Sequence, residues 1–349
     1  MRMIKRFSNI STSWTLSGLA LTACGGGGGG GLGGSSLSVT FDGDYIIGTS
    51  QPDVLIGTSR RDAIIDDAGH NTVHANEGND YIVASGNVDG GDGHDFIFHN
   101  SINTNHEVHG GNGNDVIVAE NGRIFGGSGN DYIQINADDN DRADFLGNTV
   151  QRISAANQSI SKNDLFQRTP FAEVGNGITL ANGGSGRDLI YVTADPGSGN
   201  NHDLRGGSGD DTIVTTHDAL LTGGAGRDEF GIPTIFDDDF SDQIIITITD
   251  FQKGIDKLVM IIDLDDLPIL PENLAELQSI ATSFVSTMVN DDGVGAFNDN
   301  QINFTLRSQI TNKEISYTII ARNIGQELTN EDFAFISFND ASNELNEIQ

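Results

Sequence analysis

The stretch Gly110-Gly-Asn-Gly-Asn-Asp115-Val-Ile117-Val118 is one of six strong copies of a nine-residue unit in this 349-residue chain. Each copy has glycine at its first, second and fourth positions, aspartate at its sixth and a large apolar residue at its eighth. The other copies begin at Gly90, Gly126, Gly183, Gly206 and Gly223. A flexible low-complexity segment would not keep an aspartate and an apolar residue two positions apart in every copy, so the repeat predicts ordered structure.

The glycines of the unit predict a tight turn. Glycine adopts positive φ angles without the cost that a side chain adds, so Gly-Gly-x-Gly can curl until its carbonyl oxygens converge. The aspartate adds a carboxylate, and an all-oxygen ligand set is what Ca²⁺ prefers. The alternation that follows predicts a short, half-buried strand whose middle side chain points into a core. Those side chains are Ile97, Ile117, Ile133, Ile190, Ile213 and Phe230.

The spacing of the copies predicts how the turns stack. Successive copies start 20, 16, 57, 23 and 17 residues apart, so every gap except one approximates two units. With two units per coil, these turns lie on one edge and the opposite edge is degenerate. Weaker units start at residues 48, 57, 66 and 75. The predicted row is Asp62, Asp80, Asp95, Asp115, Asp131, Asp188, Asp211 and Asp228. We expect four to six cation sites there and few or none opposite, with Asp53 and Asp62 undecided.

With these residues, the chain resembles the RTX (hemolysin-type calcium-binding) repeat family. The resemblance implies an all-β fold, a parallel β-roll of nonapeptide repeats with a mixed, mostly β C-terminal capping domain. It also implies several Ca²⁺ ions, each bound between neighbouring turns. The implied carboxylate ligands are Asp95, Asp115, Asp131, Asp188, Asp211 and Asp228, followed by Asp80. The implied carbonyl ligands come from Gly90, Gly91, Gly93, Gly110, Gly111, Gly113, Gly126, Gly127, Gly129, Gly183, Gly184, Gly186, Gly206, Gly207, Gly209, Gly223, Gly224 and Gly226.

The charge of the chain agrees with calcium as a partner. Eighteen basic and fifty acidic residues give a net charge of −32. Such a charge disfavours nucleic acid or an anionic membrane surface as a direct partner. Clustered carboxylates would hold the roll open without cations, so calcium is expected to act as a folding ligand.

The N-terminus predicts export and anchoring. A basic segment at residues 1–6 and an apolar segment at 14–21 precede Leu21-Thr-Ala-Cys24, which resembles the lipobox of bacterial lipoproteins. The resemblance implies lipidation of Cys24 and an outer-membrane or cell-surface location. An ordinary signal peptide or a chance match is the alternative. Cys24 is the only cysteine, so no internal disulfide is possible.

Four segments follow from these patterns. Residues 1–23 are the predicted lipoprotein signal peptide and 24–40 a Gly/Ser-rich tether. Residues 41–235 are the predicted roll, interrupted by an insertion at 136–181 that is a surface loop or a partner-binding patch, with a possible helix over 145–161. Residues 236–349 are the predicted cap.

The cap is similar to the C-terminal domain of serralysin-type metalloproteases. The similarity lies in Thr249-Asp-Phe-Gln-Lys-Gly-Ile-Asp-Lys257 and in Leu328-Thr-Asn-Glu-Asp-Phe333. The pattern there predicts a strand–turn–strand over 244–258, a helix from about Pro271 to Met288, and a hairpin of 302–306 with 315–321.

Enzymatic motifs are missing from the sequence. The serralysin zinc motif His-Glu-x-x-His does not occur, and His70-Asn-Thr-Val-His74 lacks the glutamate and falls in a predicted turn. There is also no Gly-x-Ser-x-Gly elbow and no phosphate loop. His94, His99, His106 and His109 are better explained as exposed turn residues than as a transition-metal patch.

The sequence therefore predicts a non-enzymatic, extracytoplasmic calcium-binding module with a surface or structural role. The alternatives are an RTX adhesin with a protein or glycan ligand, and a secreted hydrolase remnant with an unrecognised active site.

Overall fold

A computed structural model of the chain describes residues 42–99, 105–119, 122–135, 180–192, 202–234, 236, 243–264, 266–289 and 298–337, with short strands at 5–7, 14–15 and 38–39. Cys24, the tether apart from residues 38–39, residues 136–179 of the insertion with its predicted helix, and the last twelve residues lie outside the described part. Among the described residues, no helix is long and apolar enough to cross a membrane.

The roll consists of two parallel ladders, called sheet I and sheet II. Sheet I contains β4 (Tyr45–Ile47), β8 (Phe96–His99), β10 (Val116–Ala119), β12 (Tyr132–Ile135), β14 (Leu189–Val192), β16 (Thr212–Thr215), β18 (Glu229–Pro233), β20 (Lys257–Ile262) and β24 (Phe333–Ser337). Sheet II contains β5 (Val54–Ile56), β9 (Glu107–Asn112), β11 (Arg123–Ser128), β13 (Leu180–Ser185), β15 (His202–Ser208), β17 (Ala219–Ala225), β19 (Gln243–Ile248) and β23 (Glu314–Ala321). The long strands β6 (Ala63–His74) and β7 (Tyr81–Asp92) run through both sheets.

The register of the ladders stacks equivalent positions of the repeats. In sheet I, Ile117 lies beside Ile97 on one side and Ile133 on the other. In sheet II, Gly111 lies between Gly91 and Gly127 in the same way. The predicted all-β roll is therefore confirmed, and each coil carries two strands.

The core between the sheets combines the column of eighth-position residues on sheet I with inward side chains of sheet II, among them Val108, Ile124 and Leu204. All six predicted side chains are fully buried, and the column extends upstream to Ile46 and downstream to Leu258. Burying apolar area is worth about 25 cal/mol per Å², so this core is the main source of stability that does not depend on a metal.

The outer face of sheet I is apolar as well, which the sequence reading did not anticipate. Phe98, Val118 and Val214 point away from the roll and are at most 1% exposed, and they belong to a second apolar cluster made of sheet I side chains. The prediction of half-buried strands was therefore wrong for sheet I. The signal was in the apolar residues on both sides of Ile97, Ile117 and Ile190.

The C-terminal segment continues both sheets before it departs from the roll. β17 pairs with β19, and β18 pairs with β20. Both parallel ladders therefore continue from the predicted roll into the predicted cap, which was expected to begin at residue 236. The predicted strand–turn–strand and hairpin are confirmed as β19–β20 and as β22 (Asp299–Arg307) with β23. A short 3₁₀ helix, Asn330–Asp332, precedes β24.

One element of the cap was predicted wrongly. The helix α1 spans only Leu274–Ile280, capped by the Asn273 side chain, and the chain then forms β21 (Ser283–Val289), which pairs antiparallel with β22. Phe284 and Met288 are four residues apart, a spacing that suits a helix face and one side of a strand equally well. The β-branched residues between them favour the strand.

Candidate metal centre

The turns adopt the conformation that their glycines predict, with one refinement. The second and fourth glycines have positive φ in all six copies, for example 116° at Gly111 and 131° at Gly113. The first glycine is needed for space instead. A β-carbon on Gly110 would lie 2.5 Å from Oδ2 of Asp115 and 2.6 Å from the carbonyl oxygen of Gly126 in the next turn. Carboxylate and carbonyl oxygens therefore face one small space beside Gly90, Gly110, Gly126 and Gly206.

The sixth-position aspartates form one continuous row along the edge of sheet I. Each carboxylate accepts, through Oδ1, a hydrogen bond from the backbone N–H of the preceding aspartate in the row. The amide of Asp95 donates to Asp115 over 2.8 Å, and the amide of Asp115 donates to Asp131 over 2.9 Å. The row connects turns far apart in sequence, since Asp131 donates to Asp188 over 2.8 Å across the insertion. All eight predicted positions lie in this row.

The second carboxylate oxygen is buried without a hydrogen-bond partner in seven of these residues, within the part of the chain that the structure describes. They are Asp80, Asp95, Asp115, Asp131, Asp188, Asp211 and Asp228, and each is at most 2% exposed. Buried polar atoms almost always have a partner in folded proteins. A repeated set of unpartnered oxygens at equivalent places therefore indicates a bound species that supplies positive charge.

The raised pKa values of the aspartates in the row also indicate a bound cation. Burial raises the pKa of Asp80 and of Asp115 to about 8, against an ordinary value near 3.8. The main cause is desolvation, and neighbouring aspartates of the row add repulsion in both cases. The pKa values of Asp95, Asp131, Asp188 and Asp211 rise to about 7, and that of Asp228 rises to about 6, for the same primary reason. A cation in contact with these oxygens would reverse the shift, because it favours the ionised form.

The donor set fits calcium. The oxygens available are carboxylate and backbone carbonyl, without nitrogen or sulfur, and Ca²⁺ takes six to eight such ligands. Among the described residues, no three His, Cys, Asp or Glu side chains converge on one point. Each candidate site depends instead on carbonyls from the glycine turns as well as on the aspartates.

Asp62 lies in the row but differs from the other members. Its carboxylate accepts hydrogen bonds from the backbone N–H and the hydroxyl of Thr58, at 2.5 and 3.0 Å. On the opposite edge, Asp53 is held in the same way by Thr49, at 2.6 and 2.7 Å. The sequence left undecided whether Asp53 and Asp62 bind a cation. In the structure, both differ from the aspartates of the glycine turns, because a threonine in the same turn donates hydrogen bonds to the carboxylate.

Sequence reasoning missed two further members of the row: Asp44, whose backbone amide donates to Oδ1 of Asp62, and Asp256. Asp256 accepts a hydrogen bond of 3.0 Å from the amide of Asp228 and so continues the row into the cap. Its turn lacks the Gly-Gly pair, but Asp256-Lys-Leu258 keeps the aspartate and apolar residue two positions apart, and this was the available signal.

The histidines have structural contacts. Nδ1 of His94 accepts from the amide of Asn114 over 2.7 Å, and His109 stacks on Phe125 with ring centroids 4.7 Å apart. His99 and His106 are buried rather than exposed, which corrects the expectation of surface turn residues. His70 and His74 lie in strand β6, not in a turn as predicted.

Comparison with known families agrees with this geometry. The family model of the RTX calcium-binding nonapeptide repeat matches the chain in four copies, at residues 47–82, 56–97, 109–140 and 197–216. RTX nonapeptide repeats bind calcium, and this chain carries them in a β-roll. The structure adds Asp188 and Asp228, which lie outside the matched ranges, to the same row. A search of curated proteins found no match.

Proposed function

We propose that the chain is a calcium-dependent structural or binding module that works outside the cytoplasm and has no catalytic role. The observation that carries the proposal is the row of seven buried aspartates, each with one carboxylate oxygen that has no hydrogen-bond partner among the described residues. Calcium would be held by these oxygens and by carbonyls of the glycine turns. Bound there, it supplies positive charge that neutralises the row.

The same row makes calcium a folding ligand. An unfolded chain brings no carbonyls and carboxylates together, so an ion that binds only the folded roll stabilises it. A site with a dissociation constant on the order of 10⁻⁴–10⁻³ M would be empty at cytosolic calcium levels and filled outside the cell. The roll would then fold after export.

Lipidation of Cys24 would anchor this module at the outer membrane or cell surface. The support is the lipobox-like Leu21-Thr-Ala-Cys24 and the Gly/Ser-rich segment that follows it. Changing Cys24→Ser should move the exported protein from the membrane fraction to the soluble fraction. Unchanged membrane association would argue against the anchor.

A non-catalytic role is supported by the chemistry of the row. Carboxylates that bind calcium are not available as general acids or bases, and the sequence carries none of the nucleophile or zinc motifs considered above. The outward face of sheet II, which carries exposed and half-buried side chains, is then the surface through which a protein or glycan ligand would bind.

The test is a calcium titration of the purified protein in chelated buffer, followed by circular dichroism and isothermal calorimetry, with magnesium as the control. We expect a cooperative gain of β-structure at submillimolar to millimolar calcium and no comparable gain with magnesium. A chain that is fully folded in chelator and releases no heat with calcium would contradict the proposal.

A further inference from the structure

We propose that the residue four positions before each row aspartate decides whether its turn binds a cation. Glycine or asparagine at positive φ opens the turn, whereas threonine or glutamine closes it by donating its own backbone N–H to the carboxylate. The inference rests on the proposed calcium binding and specifies which turns take part in it.

The closed turns share one hydrogen bond. The amides of Thr49, Thr58 and Gln252 each donate to Oδ2 of the aspartate four residues later, at 2.6, 2.5 and 2.6 Å. In the two threonine turns the hydroxyl donates to the same carboxylate. None of these three residues is among the described non-glycine residues with positive φ.

The open turns have the opposite backbone. The equivalent residue is a glycine with φ between 102° and 119° in the six strong copies, and in the seventh it is Asn76 with φ of 76°. Asn76 precedes Asp80, whose Oδ2 is buried and without a hydrogen-bond partner among the described residues, like those of the six glycine copies. Asn76 thus behaves as a glycine although the sequence Ala75-Asn-Glu-Gly78 lacks the Gly-Gly pair.

The physical reason is the direction of one peptide group. Asparagine is several-fold enriched at positive φ, and a β-branched residue such as threonine is an outlier there. At the threonine and glutamine turns, the N–H points at the carboxylate and satisfies the oxygen that is left open elsewhere. A calcium ion and an N–H donor cannot occupy the same side of one oxygen, because both carry positive charge.

The arrangement gives the cation row defined ends. Asp62 on one side and Asp256 on the other are closed, by Thr58 and Gln252, and the seven open aspartates lie between them. The end turns therefore need no ion, and the cation sites run from Asp80 to Asp228.

Asn76 offers a single-residue test, because it is exposed and a change there disturbs no core packing. Calorimetric stoichiometry with calcium chloride should show Asn76→Thr binding at least one ion fewer than the wild type, whereas Asn76→Gly keeps the wild-type number. An Asn76→Thr variant with the full number would overturn the inference. A wild type that binds no calcium would instead overturn the proposed function, so the two failures are distinguishable.

A second pair of variants keeps the inference testable if Asn76→Thr does not fold in saturating calcium. Asp62→Asn should bind the wild-type number of ions, and Asp115→Asn should bind fewer. The double change Thr58→Gly and Arg60→Gly should open the closed turn and add one ion. Loss of an ion in Asp62→Asn, or no gain in the double variant, would contradict the assignment.

Discussion

The backbone amide of Asp95 donates a hydrogen bond to Oδ1 of Asp115 over 2.8 Å, while Oδ2 of Asp115 is buried and has no hydrogen-bond partner among the described residues. Oδ1 of the carboxylate therefore connects neighbouring turns by a hydrogen bond, and Oδ2 is the oxygen available to a ligand. This division of labour recurs from Asp80 to Asp228. It lets the effect of each substitution be predicted separately for the calcium-free and the calcium-loaded protein.

Replacing Asp115 with asparagine should weaken calcium binding, and it should leave the calcium-free protein as stable as the wild type or more stable. The amide oxygen can still accept from Asp95, and a buried group that resists ionisation is removed. In chelator with enough sucrose to populate the calcium-free fold, we expect the midpoint of thermal unfolding to stay the same or rise. In calcium we expect it to fall. The loss in calcium should approach about 2.7 kcal/mol when calcium is a hundred times the dissociation constant of the lost site.

The control for that substitution is Asp92→Asn. Asp92 is exposed and accepts one hydrogen bond, from the side chain of Asn112, which an asparagine can also accept. It removes the same charge without touching the row. If both variants lose equal stability in calcium, the effect is long-range charge and not loss of a site.

The calcium-free protein should become less stable as the pH rises from 6.5 to 8.5. The pKa values of the open aspartates are raised to about 6 to 8 in the fold, against about 3.9 in an unfolded chain. A raised pKa means that the fold binds protons which the unfolded chain has lost. The stability it contributes is complete below pH 4 and disappears as the pH passes through the folded value.

Thermal unfolding in chelator, with sucrose added to populate the calcium-free fold, measures the effect from pH 7.5 to 8.5. In this upper part of the window the unfolded histidines, with a pKa near 6.5, are mostly neutral and add little opposing pH dependence. Calcium should abolish the trend, since it holds the carboxylates ionised. Stability in chelator that increases with pH would show that the row carries no raised pKa values.

The substitution Gly110→Ala should block a calcium site because the added methyl group occupies the space beside Asp115. The added β-carbon would fall within 2.6 Å of the Asp115 carboxylate and the Gly126 carbonyl. Overpacking of this kind typically costs about 1–3 kcal/mol. We expect Gly110→Ala to lower calcium stoichiometry and stability together. Gly254→Ala is the matched control, because no atom lies within 4 Å of its β-carbon position, so only the cost of its positive φ remains. Equal calcium binding by the two variants would refute the steric explanation.

How much of this the sequence could predict depends on what each feature requires. The row from Asp95 to Asp228 and the column from Ile97 to Phe230 were predictable because a nine-residue period fixes both at once. The behaviour of Thr58 was not, since it depends on the sign of one φ angle. Asp256 was hidden because its turn has no Gly-Gly pair. Phe284 was assigned to a helix because a four-residue spacing fits two periodicities.

His202 should lower the stability of the fold most strongly in mild acid. It is 1% exposed at the start of β15, and neither ring nitrogen has a hydrogen-bond partner among the described residues. Burial lowers its pKa to about 4, against about 6.5 when unfolded. A lowered pKa means that the unfolded chain takes up a proton at His202 before the folded protein does. The folded state is therefore not destabilised by this residue's titration well above pH 6.5, and it loses stability as the pH drops from 6.5 toward 4.

We therefore expect His202→Leu to stabilise the protein relative to the wild type, by about 2 kcal/mol more at pH 5 than at pH 8. Chemical unfolding in saturating calcium at both pH values measures the difference, and the response of the aspartate row cancels between wild type and variant. His202→Gln also removes the titration but keeps a buried polar group. Relative to the wild type it should therefore show the same difference between pH 5 and pH 8, without the pH-independent gain of the leucine variant. A leucine variant whose advantage is the same at both pH values would show that His202 is not neutral and buried at pH 5.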